Sequence, residues 1–154
     1  ADCVVVLYGD HPRMSSASIL SLLNEQKKTG AIMVVAYCAV PNFDGAYAPF
    51  KSFGRIVRDE NGRIVKNVQV RDATESELSL REVDPGMYCF SAPWLWSHLP
   101  LLDTQNAQGE MYLTDLLSLA LSEGGEISSV EIPPKEALGI NTKEDLLAAE
   151  NTPL

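Results

Sequence analysis

Apolar residues fall into short blocks separated by polar turns, and the spacing within each block distinguishes strands from helices. Asp2 to Tyr8 is a continuous β-branched run closed by Gly9-Asp10, the pattern of a fully buried, parallel strand. Ser15 or Ser16 can cap a helix reaching about Lys28, with Ile19, Leu20, Leu22 and Leu23 on its apolar face. A second buried strand covers Ala31 to Ala39. Strand, helix and strand in that order form a βαβ unit. The unit predicts an α/β fold of the Rossmann-like kind, a mixed, mostly parallel open sheet with helices on both faces.

The middle of the chain changes character. Gly54 to Arg58 and Arg63 to Val70 are short half-apolar runs around Asp59-Glu60-Asn61-Gly62, whose Asn-Gly pair suits a hairpin turn. Pro41, Pro49 and the stretch from Asn42 to Tyr47 mark one long loop before it. Arg71 to Ser79 is polar and reads as a loop. Leu80 to Val83 and Met87 to Phe90 flank Asp84-Pro85-Gly86, where the proline interrupts a sheet ladder. Pro93 to Leu102 is a short helix. Tyr112 to Glu123 is a stronger one, with Leu113, Leu116, Leu117, Ala120 and Leu121 on one stripe and Gly124-Gly125 to stop it. Ile127 to Ile132 reads as a strand, and Thr142 to Glu150 as a helix opened by Thr142 with Asp145 three positions on. Nothing in this succession marks a second domain, so residues 1–154 read as one domain, and a partial one.

Composition narrows the function. With 12 Lys and Arg against 21 Asp and Glu, the net charge is −9, which disfavours nucleic acid and anionic membranes as partners. The apolar runs fall far short of the roughly 20 residues that span a bilayer. Cys3, Cys38 and Cys89 are odd in number, far apart and set in apolar runs, which fits free thiols in a reducing cytoplasm. His11 and His98 are the only histidines, so zinc chemistry and acyl-transfer hydrolysis lack support. His98 reads as a helix-surface residue and the Trp94/Trp96 pair as packing. Neither a phosphate-binding P-loop nor a Gly-x-Gly-x-x-Gly stretch occurs.

Three junctions place polar groups just beyond strand ends, where open α/β sheets bind ligands. Tyr8-Gly9-Asp10-His11-Pro12 can point the Asp10 carboxylate into the crevice as a ligand for Mg²⁺, or can be an ordinary turn. Asn141, in Leu138-Gly139-Ile140-Asn141-Thr142, can offer its amide oxygen to a cation or simply precede a cap. Gly54, beside the loop Gln69-Val70-Arg71-Asp72, lets a ligand approach the backbone closely or belongs to a plain hairpin.

The order and spacing of these pieces resemble the sugar-1-phosphate nucleotidyltransferases, and within them the uridyltransferase domains that act on N-acetylglucosamine 1-phosphate. The resemblance runs over nearly the whole chain, on Val6-Leu7-Tyr8-Gly9-Asp10, Phe53-Gly54-Arg55-Ile56-Val57-Arg58, Val70-Arg71-Asp72-Ala73-Thr74, Glu82-Val83-Asp84-Pro85-Gly86, Gly139-Ile140-Asn141 and, most specifically, Asn106-Ala107-Gln108-Gly109-Glu110 running into Tyr112-Leu113-Thr114-Asp115. It implies that Asp10 and Asn141 are catalytic and hold Mg²⁺, and that Tyr8, Gly9, Gly54, Gln69 and Asp84 bind substrate. It implies partners that are a sugar 1-phosphate and a nucleotide, UTP or a UDP-sugar, and a reaction that releases pyrophosphate. Gln69 stands where the family usually has Glu, Asp84-Pro85-Gly86 where it has Asn-Thr-Gly, and Arg71 where it has Lys. The chain also starts at a later strand than the family's glycine-rich nucleotide loop, so it is expected to be the sugar- and metal-binding part. A homodimer or a separate nucleotide-binding half is the expected complement. Two rivals are a non-catalytic remnant that binds a sugar phosphate or a partner, and a metal-dependent phosphatase using Asp10.

Overall fold

The computed structural model describes residues 2–102, 111–143 and 145–147. Among the described residues, seven strands form one sheet: β1 (Cys3–Val6), β2 (Met33–Ala39), β3 (Gly54–Arg58), β4 (Ile64–Val68), β5 (Glu82–Asp84), β6 (Tyr88–Ser91) and β7 (Ile127–Glu131). They run in the order β1-β6-β2-β5-β3-β4, with β7 on the other edge of β2. The helices are α1 (Ser16–Thr29), α2 (Glu75–Leu78), α3 (Ala92–His98) and α4 (Asp115–Ser122).

β2 is buried from Met33 through Ala36 because side chains that alternate across the sheet meet a core on each face. Val34, Ala36 and Cys38 join Leu22 of α1, Phe50, Met87 and Cys89 on one side. Met33 and Val35 join Tyr88, Phe90, Leu95 of α3 and Leu116 and Leu117 of α4 on the other. Helices on both faces follow, as the apolar pattern predicts.

The strand directions depart from expectation. Among the described residues only β2–β7 pairs parallel, whereas β1–β6, β2–β5, β2–β6, β3–β4 and β3–β5 are antiparallel. The βαβ unit is nonetheless present: β1 and β2 both run antiparallel to β6 and are therefore parallel to each other, with β6 inserted between them. β1 itself is half-buried and ends the strand order, so it is not the fully buried parallel strand that its β-branched run predicts.

Local signals hold at the helix ends. Ser15 Oγ accepts from the Ser18 N–H at 3.1 Å, and Gly30, at φ 70°, closes α1 by donating to the Gln26 carbonyl. On α1, Leu22 is fully buried but Leu20 is 54% exposed; two positions apart on a helix point to nearly opposite sides, so only one of them can face the sheet. The β3–β4 hairpin turns through Gly62 at φ 78°. The polar run 71–79 is not all loop, since Thr74 and Glu77 form a reciprocal capping box that starts α2. The loop before the hairpin contains a 3₁₀ helix, Gly45–Ser52, that buries Phe50. Thr142 and Asp145 cap each other reciprocally, at 2.8 and 3.1 Å, as the sequence predicts.

His98 is not simply a surface residue: its ring stacks on Trp94 at 4.3 Å and its Nε2 lies 3.1 Å from Glu123. The three cysteines are free, and burial pushes the thiols of Cys38 and Cys89 up to about 12. Among the described residues no helix is long and apolar enough to cross a membrane. The Asn106-to-Glu110 motif, Glu144 and the 148–150 part of the expected helix lie outside the described residues.

Leu22→Ala should cost about 3 kcal/mol of stability by leaving a cavity between α1 and the sheet, whereas Leu20→Ala should stay within about 0.5 kcal/mol. Urea unfolding of the two variants checks the assignment, and equal losses would refute it.

Candidate functional site

The site begins as an irregularity in the sheet. β5 and β6 run along the same edge of β2, but the five steps from Val83 to Tyr88 face only three steps on β2, from Cys38 to Val35. The two extra residues bulge the segment Asp84-Pro85-Gly86 out of the ladder. Proline contributes no N–H to be satisfied there, and Gly86 adopts φ 77°, where a side chain would be strained and its Cβ would lie 2.0 Å from the Tyr8 ring.

Asp84 is thereby left 7% exposed, with its carboxylate filled by donors. The Gly86 N–H donates to Oδ1 at 2.7 Å and the Tyr88 hydroxyl to Oδ2 at 2.5 Å. The Asn67 amide also donates to Oδ2. Burial raises the Asp84 pKa above the ordinary aspartate value, with the three hydrogen bonds pulling the other way.

Asn67 reaches Asp84 across β3 because residue 54 is glycine. Gly54 pairs with Asp84, and a Cβ on it would meet Asn67 Oδ1 at 2.8 Å and Gln69 Nε2 at 3.2 Å. Arg55 beside it is 1% exposed, stacks on Phe43 at 4.5 Å and donates to the carbonyls of Lys51, Phe53 and Leu78. Those bonds hold the 3₁₀ segment whose Pro49 and Ser52 form one lip of the cleft.

The opposite wall is the turn after β1. Tyr8 packs edge-on against His11, with ring centroids 5.9 Å apart. Burial, then the charges of Asp84 and Asp10, push the Tyr8 hydroxyl pKa up. The His11 side chain is 7% exposed and its Nε2 is 3.8 Å from Asp10 Oδ1; burial lowers its pKa more than Asp10 raises it. The turn is joined to the loop before the last helix, where the Ile140 N–H donates to the Asp10 carbonyl at 2.8 Å. A Cβ at Gly139 would meet Asp10 Oδ2 at 2.9 Å.

These walls enclose a cleft of about 490 Å³. Tyr8, Asp10, Gly54, Gln69, Asp84 and Asn141 line it, six of the seven residues singled out in the sequence. The seventh, Gly9, stands in an exposed turn outside the lining. Sequence reasoning missed Tyr88 and Asn67, which hold Asp84. Tyr88 carried a signal: a tyrosine in an otherwise apolar strand needs a partner for its hydroxyl. Asn67 carried none, because its contact crosses an intervening strand.

Asp10 and Asn141 offer hard oxygen donors from two loops, a set that suits Mg²⁺, which keeps several waters and takes only one or two protein ligands. Among the described residues there is no group of three His, Cys, Asp or Glu side chains that could hold a metal by themselves.

No protein-family model matches the chain. Curated relatives do. The chain is 37% identical over 146 residues, 95% of its length, to the bifunctional protein GlmU of Anaeromyxobacter sp. (strain K), and 35% identical over 146 residues to that of Brevibacillus brevis. The chain matches part of GlmU's uridyltransferase domain. It spans only about three tenths of the length of these relatives, 28% and 30%. Among solved structures, the CMP:2-keto-3-deoxy-manno-octonic acid synthetase complexed with CTP superposes with a TM-score of 0.64 at 18% identity, over 99% of this chain and 64% of that one. A 4-diphosphocytidyl-2C-methyl-D-erythritol synthase from Anaerococcus prevotii gives 0.58 at 14% identity, over 97% and 57%. At such identities the likeness is one of fold, and the fold is that of nucleotidyltransferases.

Two outcomes follow from the geometry. Gly54→Ala should destabilise the chain by about 1–3 kcal/mol, because the new methyl displaces Asn67 from Asp84; urea unfolding measures it, and an unchanged midpoint would contradict the contact. The raised Asp84 pKa means that the folded chain holds this proton more tightly than the unfolded one. Its contribution to stability is therefore full at low pH and is lost as pH climbs from the ordinary value of 3.8 to the raised one. Asp84→Asn removes that loss, so the stability of the variant minus that of the wild type should rise with pH across this window. Denaturant unfolding over a pH series tests the sign.

Proposed function

We propose that the chain is the sugar- and metal-binding part of a sugar-1-phosphate nucleotidyltransferase that makes a UDP-sugar. The observation that carries this reading is the convergence of Asp10 and Asn141, 131 positions apart in the sequence, on one cleft with Gly54, Gln69 and Asp84. The relatives' uridyltransferase domain supports the reaction class.

In the proposed reaction a phosphate oxygen of the sugar 1-phosphate attacks the α-phosphorus of UTP. One P–O bond forms, the bond to the β-phosphate oxygen breaks, and pyrophosphate leaves with that electron pair. The nucleophile is already anionic, so positioning and charge neutralisation matter more than a general base. Asp10 and Asn141 would hold Mg²⁺, which neutralises phosphate charge when bound. Gly54 admits the sugar against bare backbone, Gln69 and Asp84 offer it polar groups, and Tyr8 walls the cleft with a half-exposed ring.

One observation favours the second reading, a sugar-phosphate-binding remnant without turnover of its own. Among the described residues lining the cleft there is no Lys or Arg, although phosphoryl transfer needs such charge in its transition state. A separate nucleotide-binding half, or a second copy of the chain paired on the β1 edge, would have to provide it.

Calorimetric titration of the full chain with UDP-N-acetylglucosamine, with and without Mg²⁺, tests the shared half of both readings. Saturable binding that requires Mg²⁺ and weakens at least about tenfold in Asp10→Ala is the expected result. No heat at millimolar ligand would overturn the sugar-and-metal assignment.

A further inference from the structure

The loops that carry Asp10 and Asn141 are joined at a second place, behind the cleft. Ser15, the N-cap of α1, follows Asp10 by five residues, and the first turn of the helix contains no acidic side chain, although the partial positive charge of a helix N-terminus favours one. The carboxylate comes from 121 positions away: Glu136 Oε2 accepts the Ser15 N–H at 3.0 Å. The Ser18 hydroxyl bonds to the same carboxylate. Glu136 is 7% exposed and Ser18 6%, so the contact lies inside the fold.

Helix capping does not account for this carboxylate. Ser15 Oγ already accepts the Ser18 N–H at 3.1 Å, which is the ordinary cap, and a buried charge costs desolvation that its hydrogen bonds do little more than offset. What Glu136 fixes is the path of the chain. It ends the single 3₁₀ turn Pro134–Glu136, which has no side-chain cap of its own. Ala137 after it is fully buried, and Asn141 follows four residues later. At the far end of that stretch the Ile140 N–H donates to the Asp10 carbonyl at 2.8 Å. Segments 10–15 and 136–140 are thus pinned at both ends, Asp10 to Ile140 and Ser15 to Glu136. Between the pins, Gly139 leaves room for the Asp10 carboxylate and the His11 ring.

We propose that Glu136 is a positioning residue for the cation site: by anchoring segment 136–140 to the start of α1, it keeps Asn141 beside Asp10 so that both reach one cation. The inference rests on the reading of Asp10 and Asn141 as the cation's ligands. Glu136 is not among the residues that line the cleft, so it acts through the backbone. Without the anchor, the apolar packing of Ala137 and Leu138 against the α1 side of the core remains. Such packing is non-directional and does not set the register of the loop against the Asp10 turn, which the two hydrogen-bonded pins do.

The test is calorimetric titration of the full chain with UDP-N-acetylglucosamine over a series of Mg²⁺ concentrations, with thermal unfolding measured in parallel. In Glu136→Ala the Mg²⁺ concentration that gives half-maximal binding should rise about tenfold, the scale of losing a group that supports a metal ligand, whereas saturating Mg²⁺ should restore the wild-type affinity. Glu136→Gln, which keeps an oxygen acceptor for the Ser15 N–H, should recover most of the loss. Leu22→Ala loosens the packing of α1 without removing the anchor, and should leave the Mg²⁺ midpoint unchanged however far the melting temperature falls. If Glu136→Ala does not fold, Ser18→Ala removes one donor from the carboxylate and should move the midpoint in the same direction. An unchanged midpoint in the anchor variants, or an equal shift in Leu22→Ala, would overturn the positioning role and leave the sugar-and-metal reading intact. A wild-type chain that binds nothing at any Mg²⁺ concentration would overturn both.

Discussion

The sheet is organised around β2, against which β5, β6 and β7 are all registered. It pairs with three strands, β6 and then β5 on one edge and β7 on the other, and carries a core on each face. A strand so enclosed cannot slip, because a shift of one residue would exchange the two apolar faces and break both ladders together. The consequence reaches the cleft: since β5 and β6 must both pair with β2, the two residues they have in excess are forced outward, and they carry Asp84-Pro85-Gly86 with them.

The cleft is therefore a by-product of sheet geometry, stiffened by polar contacts. The Asp84 carboxylate links β5 to β6 through Tyr88 and, across β3, to β4 through Asn67. Gly54 makes that second link possible by having no side chain in its path. Arg55 fixes the adjacent lip by donating to the backbone carbonyls of Lys51 and Leu78. A buried carboxylate and a buried guanidinium lie on neighbouring strands without touching each other, each satisfied by neutral groups, and their placement is best understood as preorganisation of one wall rather than as stabilisation of the fold.

Much of the fold was legible. α1, β2, the β3–β4 hairpin and the Asp84 interruption follow from periodicity and from Gly, Pro and capping residues, which act within a few positions of themselves. β1 was misjudged because a β-branched run reports burial of side chains, and says nothing about which strand lies alongside. α2 was missed because four residues show no period; only its Thr74–Glu77 capping box betrayed it. In the site, Asp10, Gly54 and Asn141 stood out as polar or glycine residues at strand ends, whereas Asn67 is one amide in a polar strand and carries no local mark.

The sequence by itself determined the strand and helix segments, the turns that separate them and the residue types available for chemistry, because propensity, capping and turn formation are short-range. Only the tertiary structure decided that β6 enters between β1 and β2, that two surplus residues bulge at Asp84, and that Asp10 and Asn141 share a cleft. Those outcomes depend on pairings between segments up to 131 residues apart, and such pairings are selected by burying two apolar faces at once, a condition that no single segment can express.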